Sequence, residues 1–113
     1  MDTSLKNNNY FEQVYQVVQL IPKGRATSYG AIANYLGLKG GARMVGWAMN
    51  AAHALPDIEA HRVTNRNGQL TGKMHFSTPT EMEELLDADG IQVTNDQIED
   101  WKTIFWDPQT ELL

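Results

Sequence analysis

The sequence predicts a mostly α-helical domain that contains a helix-turn-helix and a few short strands. Apolar residues near the start recur at helical spacing, and two further short helical segments are separated by glycines. Pro56 then opens an irregular segment that leaves room only for a small extended pair. A chain of 113 residues has the size of one domain. We predict that this domain spans residues 10–108 and that residues 1–9 form a flexible N-terminus.

The first helix is predicted over residues 8–20. Its apolar positions follow the i, i+3, i+4, i+7 spacing of one helix face, and they are Phe11, Val14, Tyr15 and Val18. Pro22 and Gly24 end it, because proline and glycine both disfavour the helix interior.

The second and third helices make the predicted helix-turn-helix. Ser28 can cap the second helix, over residues 29–36, because its hydroxyl can accept a hydrogen bond from the first turn, and Gly37 ends that helix. We expect its inward face to consist of Ile32, Ala33 and Leu36. A third helix is predicted over residues 42–51. Two such helices recur in many proteins that do not bind DNA, so the pattern alone does not fix a function.

The second half of the chain predicts one more clear helix. Asn67 and Gly68 mark a turn before a short extended stretch at residues 69–71. Thr80 or Ser77 is the expected cap of the helix, and Gly90 its end. Its predicted inner stripe is Met82, Leu85 and Leu86. The C-terminal residues expected to close the core are Trp101, Ile104, Phe105 and Trp106.

Composition excludes several classes of protein. The chain has no cysteine, which removes disulfides and thiolate metal sites, and its three scattered histidines are a weak basis for a metal, so we expect neither metal nor cofactor. Apolar runs are much shorter than a membrane span, so we expect no membrane partner. The N-terminal segment has neither the cationic start nor the apolar stretch of a signal peptide. We therefore expect a cytoplasmic protein, nucleoid-associated if bacterial.

The charge is negative overall but unevenly distributed. A formal net charge of −5 argues against a protein that holds DNA chiefly by neutralising phosphates. Residues 22–75 nevertheless carry seven lysines and arginines against Asp57 and Glu59, whereas residues 81–111 are strongly acidic. A basic face and a set of merely solvated side chains both remain open at this point.

Four segments occur in the order and with the residue types of one known family. They are IPKGRATSYGAIA at residues 21–33, ARMVGWAM at 42–49, HRV at 61–63 followed by NGQLTG at 67–72, and LLDADG at 85–90. Each is weak alone, but the ordered set is specific. Over residues 10–95 the chain resembles the DNA-binding domain of the O6-alkylguanine-DNA alkyltransferases. The resemblance implies a winged-helix-type domain, like the C-terminal domain of those proteins.

The acceptor cysteine of that family has no counterpart. Residues 58–63, IEAHRV, resemble the family's Pro-Cys-His-Arg-Val, with Ala60 at the cysteine position. A thiolate accepts the alkyl group in that chemistry, so a chain without cysteine cannot perform it. We predict that the chain is not an enzyme. Binding of the damaged base without alkyl transfer is the property of the alkyltransferase-like proteins.

The rest of the catalytic signature is predicted to be vestigial. The resemblance matches His61 to the histidine that helps a water take the cysteine proton, and Glu83 to the glutamate that orients it. Without a thiol, their hydrogen bond is expected to be structural only. Arg62 is expected to brace the loop.

The resemblance also assigns residues that bind DNA. Tyr29 matches a tyrosine that presses on the backbone phosphate beside the target nucleotide, and Arg43 matches an arginine that fills the place of the extruded base. An arginine suits that place because its flat guanidinium can stack and donate hydrogen bonds. Ala42 and Gly46 are small and would let the helix backbone lie close to the groove.

The predicted lesion pocket consists of Ala60, Val63, Lys73 and Tyr29. Lys73 matches the basic position with which alkyltransferase-like proteins sense the O6 region, although a solvated lysine is an equally good interpretation. Trp47 stands where the family usually has a small residue. It could belong to the core, act as a wedge in the groove or form a partner surface, and of these we expect the core.

The predicted function is a DNA-damage sensor. It binds duplex DNA in the minor groove, flips an O6-alkylguanine into a pocket, and holds it without chemistry. We expect a monomer, and the resemblance implies that it flags the lesion for nucleotide excision repair proteins. The alternatives are a helix-turn-helix transcription factor, a protein-interaction domain without lesion specificity, and an enzyme built around His61 and Glu83. The enzyme is disfavoured because nucleophile, metal ligands and oxyanion donors are missing.

Overall fold

The computed structural model describes residues 3–112 and is mostly helical. Its α-helices are α1 (Thr3–Leu20), α2 (Tyr29–Leu36), α3 (Ala42–Ala52), α4 (Glu81–Ala88), α5 (Trp101–Ile104) and α6 (Pro108–Glu111). Its two-residue strands are β1 (Thr27–Ser28), β2 (Val63–Thr64), β3 (Val93–Thr94) and β4 (Gln97–Ile98). Short 3₁₀ turns lie at Ala60–Arg62 and Lys73–His75. The predicted fold class, mostly α with a helix-turn-helix and a few short strands, is confirmed.

Helix α1 buries the apolar face that its spacing predicts. Val14 and Val18 are fully buried, and Phe11 and Tyr15 pack against the same core. The helix begins at Thr3, so the predicted start near residue 8 was too late. No proline or glycine lies before Pro22 to interrupt it. Residues 3–9 of the segment predicted to be flexible therefore continue the helix, and residues 1 and 2 lie outside the described residues.

Helices α2 and α3 form the predicted helix-turn-helix. The Ser28 hydroxyl accepts a hydrogen bond from the backbone N–H of Ala31 at 3.1 Å, as an N-cap does. Gly37 ends α2 with a φ of 68°, which a residue without a side chain adopts at no steric cost. Ile32 and Val45 are fully buried between α2, α3 and α1.

Two tyrosines fix α3 against α1. The hydroxyl of Tyr10 donates to the carbonyl of Met44, and that of Tyr15 donates to the carbonyl of Ala48, both at 2.7 Å. Side-chain donors to a helix backbone set both the position and the rotation of that helix. The outer face of α3 is thereby presented in a defined orientation.

The strands differ from the predicted local pair. Strand β2 pairs in parallel with β1, so that Val63 lies opposite Thr27 and Thr64 opposite Ser28. This pairing holds the loop at residues 58–63, which resembles the family's signature segment, directly beside the start of α2. Turn chemistry alone could not predict it, because the two strands are more than thirty residues apart. The turn at Gly68 is confirmed, with a φ of 75°.

A second, smaller core lies under α4. Met82 and Leu86 are buried there with Ile91 and Ile98, but Leu85 is 37% exposed, so its predicted place in the inner stripe was wrong. Met82 and Leu86, four residues apart, form the buried stripe, and Leu85 lies at its edge, where it lines a surface concavity. Thr80 precedes the helix, but its hydroxyl donates to Glu84 rather than capping the backbone.

Trp101, Ile104 and Trp106 close the core as predicted, whereas Phe105 is half-buried and packs on the ring of Trp101. Trp106 is 3% exposed in the main core, and Trp101 and Ile104 pack on the smaller one. Among residues 3–112 no helix is long and apolar enough to cross a membrane.

Candidate functional site

A concavity of roughly 280 Å³ opens beside the helix-turn-helix. It is lined by the start of α2, the outer face of α3, the turn at Ala60–Arg62 and the loop that follows Thr71. Tyr29, Arg43 and Ala60, which the sequence assigned to one site, all line it. The helix-turn-helix and the loop at residues 58–63 therefore contribute to the same site.

Tyr29 stands at the inner wall of this concavity. It is the first residue of α2 and directly follows the capping residue Ser28. The hydrogen bond that caps the helix therefore also fixes the backbone position of Tyr29. A Cβ on Gly72 would lie 2.6 Å from the Tyr29 hydroxyl oxygen, so glycine is what permits this close approach. Burial raises the pKa of Tyr29, and a hydrogen bond with Thr71 acts in the opposite direction. The phenol stays neutral and can donate a hydrogen bond.

Arg43 and Trp47 lie on the outer face of α3, one turn apart. Arg43 is exposed, and its Cζ lies 5.9 Å from the centre of the Trp47 ring, in the range of a cation–π contact. Trp47 is 54% exposed and lines the concavity. Its predicted place in the core was wrong, because Val45, Ala48 and Met49 form the buried face of α3 and leave Trp47 opposite them.

The small residues of α3 have separate positions. Gly46 lines the concavity, and a Cβ built there would have no neighbour within 4 Å, so its surface is open. Ala42 is exposed at the first turn of α3 and lies outside the concavity. Both are on the accessible side of the helix-turn-helix.

Ala60 and Val63 line the concavity, but Lys73 does not. The Lys73 ammonium is 2.6 Å from a carboxylate oxygen of Asp96, on the far side of the loop. The assignment of Lys73 to the pocket was therefore wrong. The tight turn at Lys73–His75 directs Lys73 toward the β3–β4 turn, where Asp96 carries the opposite charge.

His61 is bound by a carboxylate other than the one predicted. Its Nε2 lies 2.9 Å from Oδ2 of Asp89, while Glu83 is exposed on α4 and lines a separate acidic surface. The pairing of His61 with Glu83 was wrong because Glu83 follows the buried Met82 and so points away from the core. Asp89 belongs to the fourth matched segment, at the point where α4 ends.

Arg62 braces the loop as predicted. Its Nε and Nη2 donate to the two oxygens of Asp89 at 2.8 and 3.2 Å, and Nη1 donates to the carbonyl of Ile21 at 3.1 Å. Burial raises the pKa of Asp89, but hydrogen bonds from Arg62 and His61 outweigh it, so the pKa lies below the usual 3.8. Asp89 is thus an ionised anchor that joins α4 to the loop at residues 60–62.

Two histidines of the site were missed in the sequence. His53 caps the end of α3 and His75 ends the second 3₁₀ turn; their rings are 6.2 Å apart, and both line the concavity. Phe76 packs edge-on against His53 at 4.5 Å. No pattern in the sequence indicated this cluster, because residues 53 and 75 meet only when the loop folds back on α3.

The charge of the concavity is opposite in sign to that of the whole chain. Its ionisable lining among the described residues consists of Arg43, His53, His75 and Tyr29, with no carboxylate. Acidic side chains gather instead around α4, where Glu83, Glu84, Asp87 and Glu99 line another surface. The uneven charge of the sequence therefore corresponds to two separate surfaces.

Comparison with known proteins gives consistent relatives. Residues 9–91 match the family described as "6-O-methylguanine DNA methyltransferase, DNA binding domain". The chain is 28% identical over 98 residues to alkyltransferase-like protein 1 of Schizosaccharomyces pombe, covering 87% of this chain and 91% of that protein. It is 38% identical over 72 residues to the methylated-DNA-protein-cysteine methyltransferase of Salmonella typhimurium, covering 64% of this chain and 42% of that protein.

The fold matches a solved structure as well. The crystal structure of S. pombe Atl1 in complex with damaged DNA containing O6-carboxymethylguanine superposes with a TM-score of 0.78 at 28% identity. The match covers 89% of this chain and 97% of that one. The likeness therefore extends over almost the whole of a small protein and over one part of a larger enzyme.

Proposed function

The chain belongs to the family of the 6-O-methylguanine DNA methyltransferase DNA-binding domain, as an alkyltransferase-like member without the acceptor cysteine, and from this premise we propose that it senses O6-alkylguanine in duplex DNA. It approaches the minor groove, turns the modified nucleotide out of the stack and holds the base in the concavity. The observation that carries the proposal is that Tyr29, Arg43 and Ala60 line one concavity.

Alkyl transfer itself is excluded. Dealkylation moves the alkyl group to a thiolate sulfur, and the chain has no cysteine. Ala60 stands at the acceptor position and offers only a methyl group. The bound lesion therefore leaves unchanged, and the function is binding rather than catalysis.

Nucleotide flipping explains the residue types at the site. Extruding a base costs about a few kcal/mol of stacking and pairing, so the gap and the flipped nucleotide both need stabilising contacts. Arg43 is exposed at the rim and can enter the gap, where its guanidinium stacks and donates to the orphaned partner base. Tyr29, a rigid aromatic with a neutral hydroxyl, lines the concavity and would contact the flipped nucleotide as it enters.

The negative net charge does not oppose this function. The acidic groups that dominate the total lie around α4, whereas the concavity carries Arg43 and two histidines. DNA binding then depends more on a few specific contacts and on the shape of the pocket than on general neutralisation of the phosphates. We accordingly expect a weak dependence of affinity on salt.

Flagging for repair follows from a complex that lasts without reacting. A protein that stays bound and distorts the duplex forms a long-lived complex that nucleotide excision repair proteins can recognise. We propose this downstream role together with a cytoplasmic or nucleoid location. We also propose a monomeric state, because Tyr29, Arg43 and Ala60 of the proposed site all come from one chain.

One titration tests the proposal. The protein is titrated against matched duplexes with and without one O6-methylguanine, and the recovered DNA is analysed by mass spectrometry for loss of the methyl group. We expect tighter binding to the lesion duplex and an intact lesion afterwards. Equal binding to both duplexes would indicate a transcriptional or architectural protein, and no binding would indicate a protein-interaction domain; either result contradicts the proposal.

A further inference from the structure

Trp47 is a large apolar side chain on the exposed face of α3. It is 54% exposed and lines the concavity, whereas the buried face of the helix includes Val45, Ala48 and Met49. A tryptophan that lies half in water contributes little to the core. A ligand that covers this ring would remove its apolar surface from water, which favours the bound state. The ring is therefore placed to act in binding rather than in folding.

The surface beside the Trp47 ring is open. Gly46 precedes Trp47, and a Cβ built at Gly46 would meet nothing within 4 Å. Arg43 and Asn50 are the other exposed residues of α3 that line the concavity, and both are polar. Trp47 is thus the exposed apolar side chain on the wall that α3 contributes to the concavity.

Arg43 lies against this ring, one helical turn earlier. Its Cζ is 5.9 Å from the centre of the Trp47 ring. Residues four apart are neighbours on one face of a helix, so the contact does not depend on a distant segment of the chain. An indole is the best cation–π partner among the aromatic side chains, and a flat guanidinium can stack on it. The contact restricts a long, exposed side chain and so orders Arg43 before DNA binds.

The contact becomes stronger when Arg43 leaves water. A cation–π contact is worth at least about twice as much when it is desolvated as at an exposed site. Arg43 is exposed in the free protein, and its guanidinium loses water when it enters the vacated stack. The Trp47 ring therefore stabilises the complex with DNA more than it stabilises the free protein.

Resting on the proposed function, we infer that Trp47 is a positioning residue for Arg43: its indole holds the guanidinium at the rim of the concavity, and the two side chains enter the minor groove as one unit. A large ring is compatible with that groove, because minor-groove proteins commonly insert apolar side chains between base steps. A ring that instead kept α3 away from DNA would have the opposite signature, since its removal would tighten binding.

A double-mutant cycle tests the coupling of the two side chains. Full-length wild-type protein, Trp47→Leu, Arg43→Ala and the double variant are titrated with an O6-methylguanine duplex at one ionic strength. We expect Trp47→Leu to weaken binding about fivefold in the wild type and less than about twofold when residue 43 is already alanine, because leucine keeps apolar bulk but has no π face. Equal losses in the two backgrounds, or no loss in either, overturn the inference.

Further variants separate the ring from a general effect on packing. Trp47→Phe keeps a weaker π face and should bind the lesion duplex within about twofold of the wild type. Tyr35→Leu is the matched control, because Tyr35 is a 39% exposed aromatic residue on α2 outside the concavity, and binding should not change. The urea unfolding midpoint of Trp47→Leu should equal that of the wild type. Tighter lesion binding by Trp47→Ala would mean that the ring obstructs DNA, and it overturns the inference.

Tryptophan fluorescence reports whether the ring meets DNA. Trp47 is exposed, whereas Trp106 is buried and Trp101 packs on the smaller core. The lesion duplex should quench the emission of the wild type, and this quenching should disappear in Trp47→Phe. Quenching that persists in Trp47→Phe would place the ring away from DNA and contradict the inference. Equal binding of the wild type to guanine and O6-methylguanine duplexes overturns the proposed function itself, which the same titrations report separately.

Discussion

Nε2 of His61 lies 2.9 Å from Oδ2 of Asp89, so the histidine of the former catalytic signature is bound to the carboxylate at the end of α4. The same carboxylate accepts two hydrogen bonds from Arg62. All three side chains are largely buried, with exposures of 4%, 8% and 14% for His61, Asp89 and Arg62. The three side chains form a buried joint between the turn at residues 60–62 and the end of α4.

Asp89→Asn should therefore destabilise the fold. The substitution leaves the Arg62 guanidinium without its counter-charge in a poorly solvated place, and breaking such a pair costs about 3 kcal/mol. The measurement is the free energy of unfolding by urea at neutral pH. Glu83→Gln is the matched control, since Glu83 is exposed on the same helix and should change stability by less than about 0.5 kcal/mol. Equal effects of the two substitutions would contradict the assignment of Asp89 as the anchor.

The stabilisation by Asp89 should vanish in acid. Its pKa in the folded protein is below the usual 3.8, because hydrogen bonds from Arg62 and His61 outweigh the effect of burial. A lowered pKa means that the ionised form favours folding above that range, and the contribution is lost as the pH falls through the folded-state pKa. Wild-type and Asp89→Asn unfolding free energies should differ by a constant amount near neutral pH and converge below about pH 4. A gap that stays constant into strong acid would rule out this titration.

The sequence predicted those features that local chemistry determines. The Ser28 cap, the Gly37 terminus and the buried face of α1 each follow from a few neighbouring residues, and the structure has all three. The errors concern residues whose partners are distant in the chain. Lys73 and Trp47 were misplaced because helical spacing and motif matching do not say which face another segment covers.

The same distinction holds within the site. The ordered motifs correctly predicted that Tyr29, Arg43 and Ala60 lie in one site, because each motif matches a defined segment of the family's domain. His53 and His75 were missed, since only the packing of the loop against the end of α3 makes them neighbours.

Arg43→Ala should weaken binding to an O6-methylguanine duplex by about 1–3 kcal/mol, the scale of one well-placed nucleic-acid contact. The side chain is exposed and lies over the Trp47 ring, so the unfolding free energy should hardly change. Arg43→Lys is the informative companion, because it keeps the charge and loses the planar group that stacks. We expect it to resemble alanine more than the wild type in lesion binding by fluorescence anisotropy. Wild-type affinity of Arg43→Ala would show that another residue fills the vacated stack.

Gly72→Ala should disturb the site through Tyr29. Its backbone φ of −90° suits alanine, so any loss comes from the added Cβ, which would lie 2.6 Å from the Tyr29 hydroxyl. Crowding of this kind costs about 1–3 kcal/mol. In a Tyr29→Phe background the clashing oxygen is gone, and the same substitution should cost less. A double-mutant cycle on unfolding free energies measures this coupling, and strictly additive effects would argue against the contact.

Ala60→Cys should bind lesions and still transfer alkyl groups poorly. His61, the expected base, is committed to Asp89 through Nε2, and the Glu59 carboxylate lies 3.5 Å from its other ring nitrogen, Nδ1. A carboxylate close to the new sulfur disfavours the thiolate and so raises the thiol pKa. The double substitution Glu59→Gln with Ala60→Cys should therefore show a lower thiol pKa than Ala60→Cys alone. Because the chain has no other cysteine, the rate of thiol alkylation by iodoacetamide against pH reports that pKa directly. A thiol pKa that is the same in both variants would mean that Glu59 does not act on position 60.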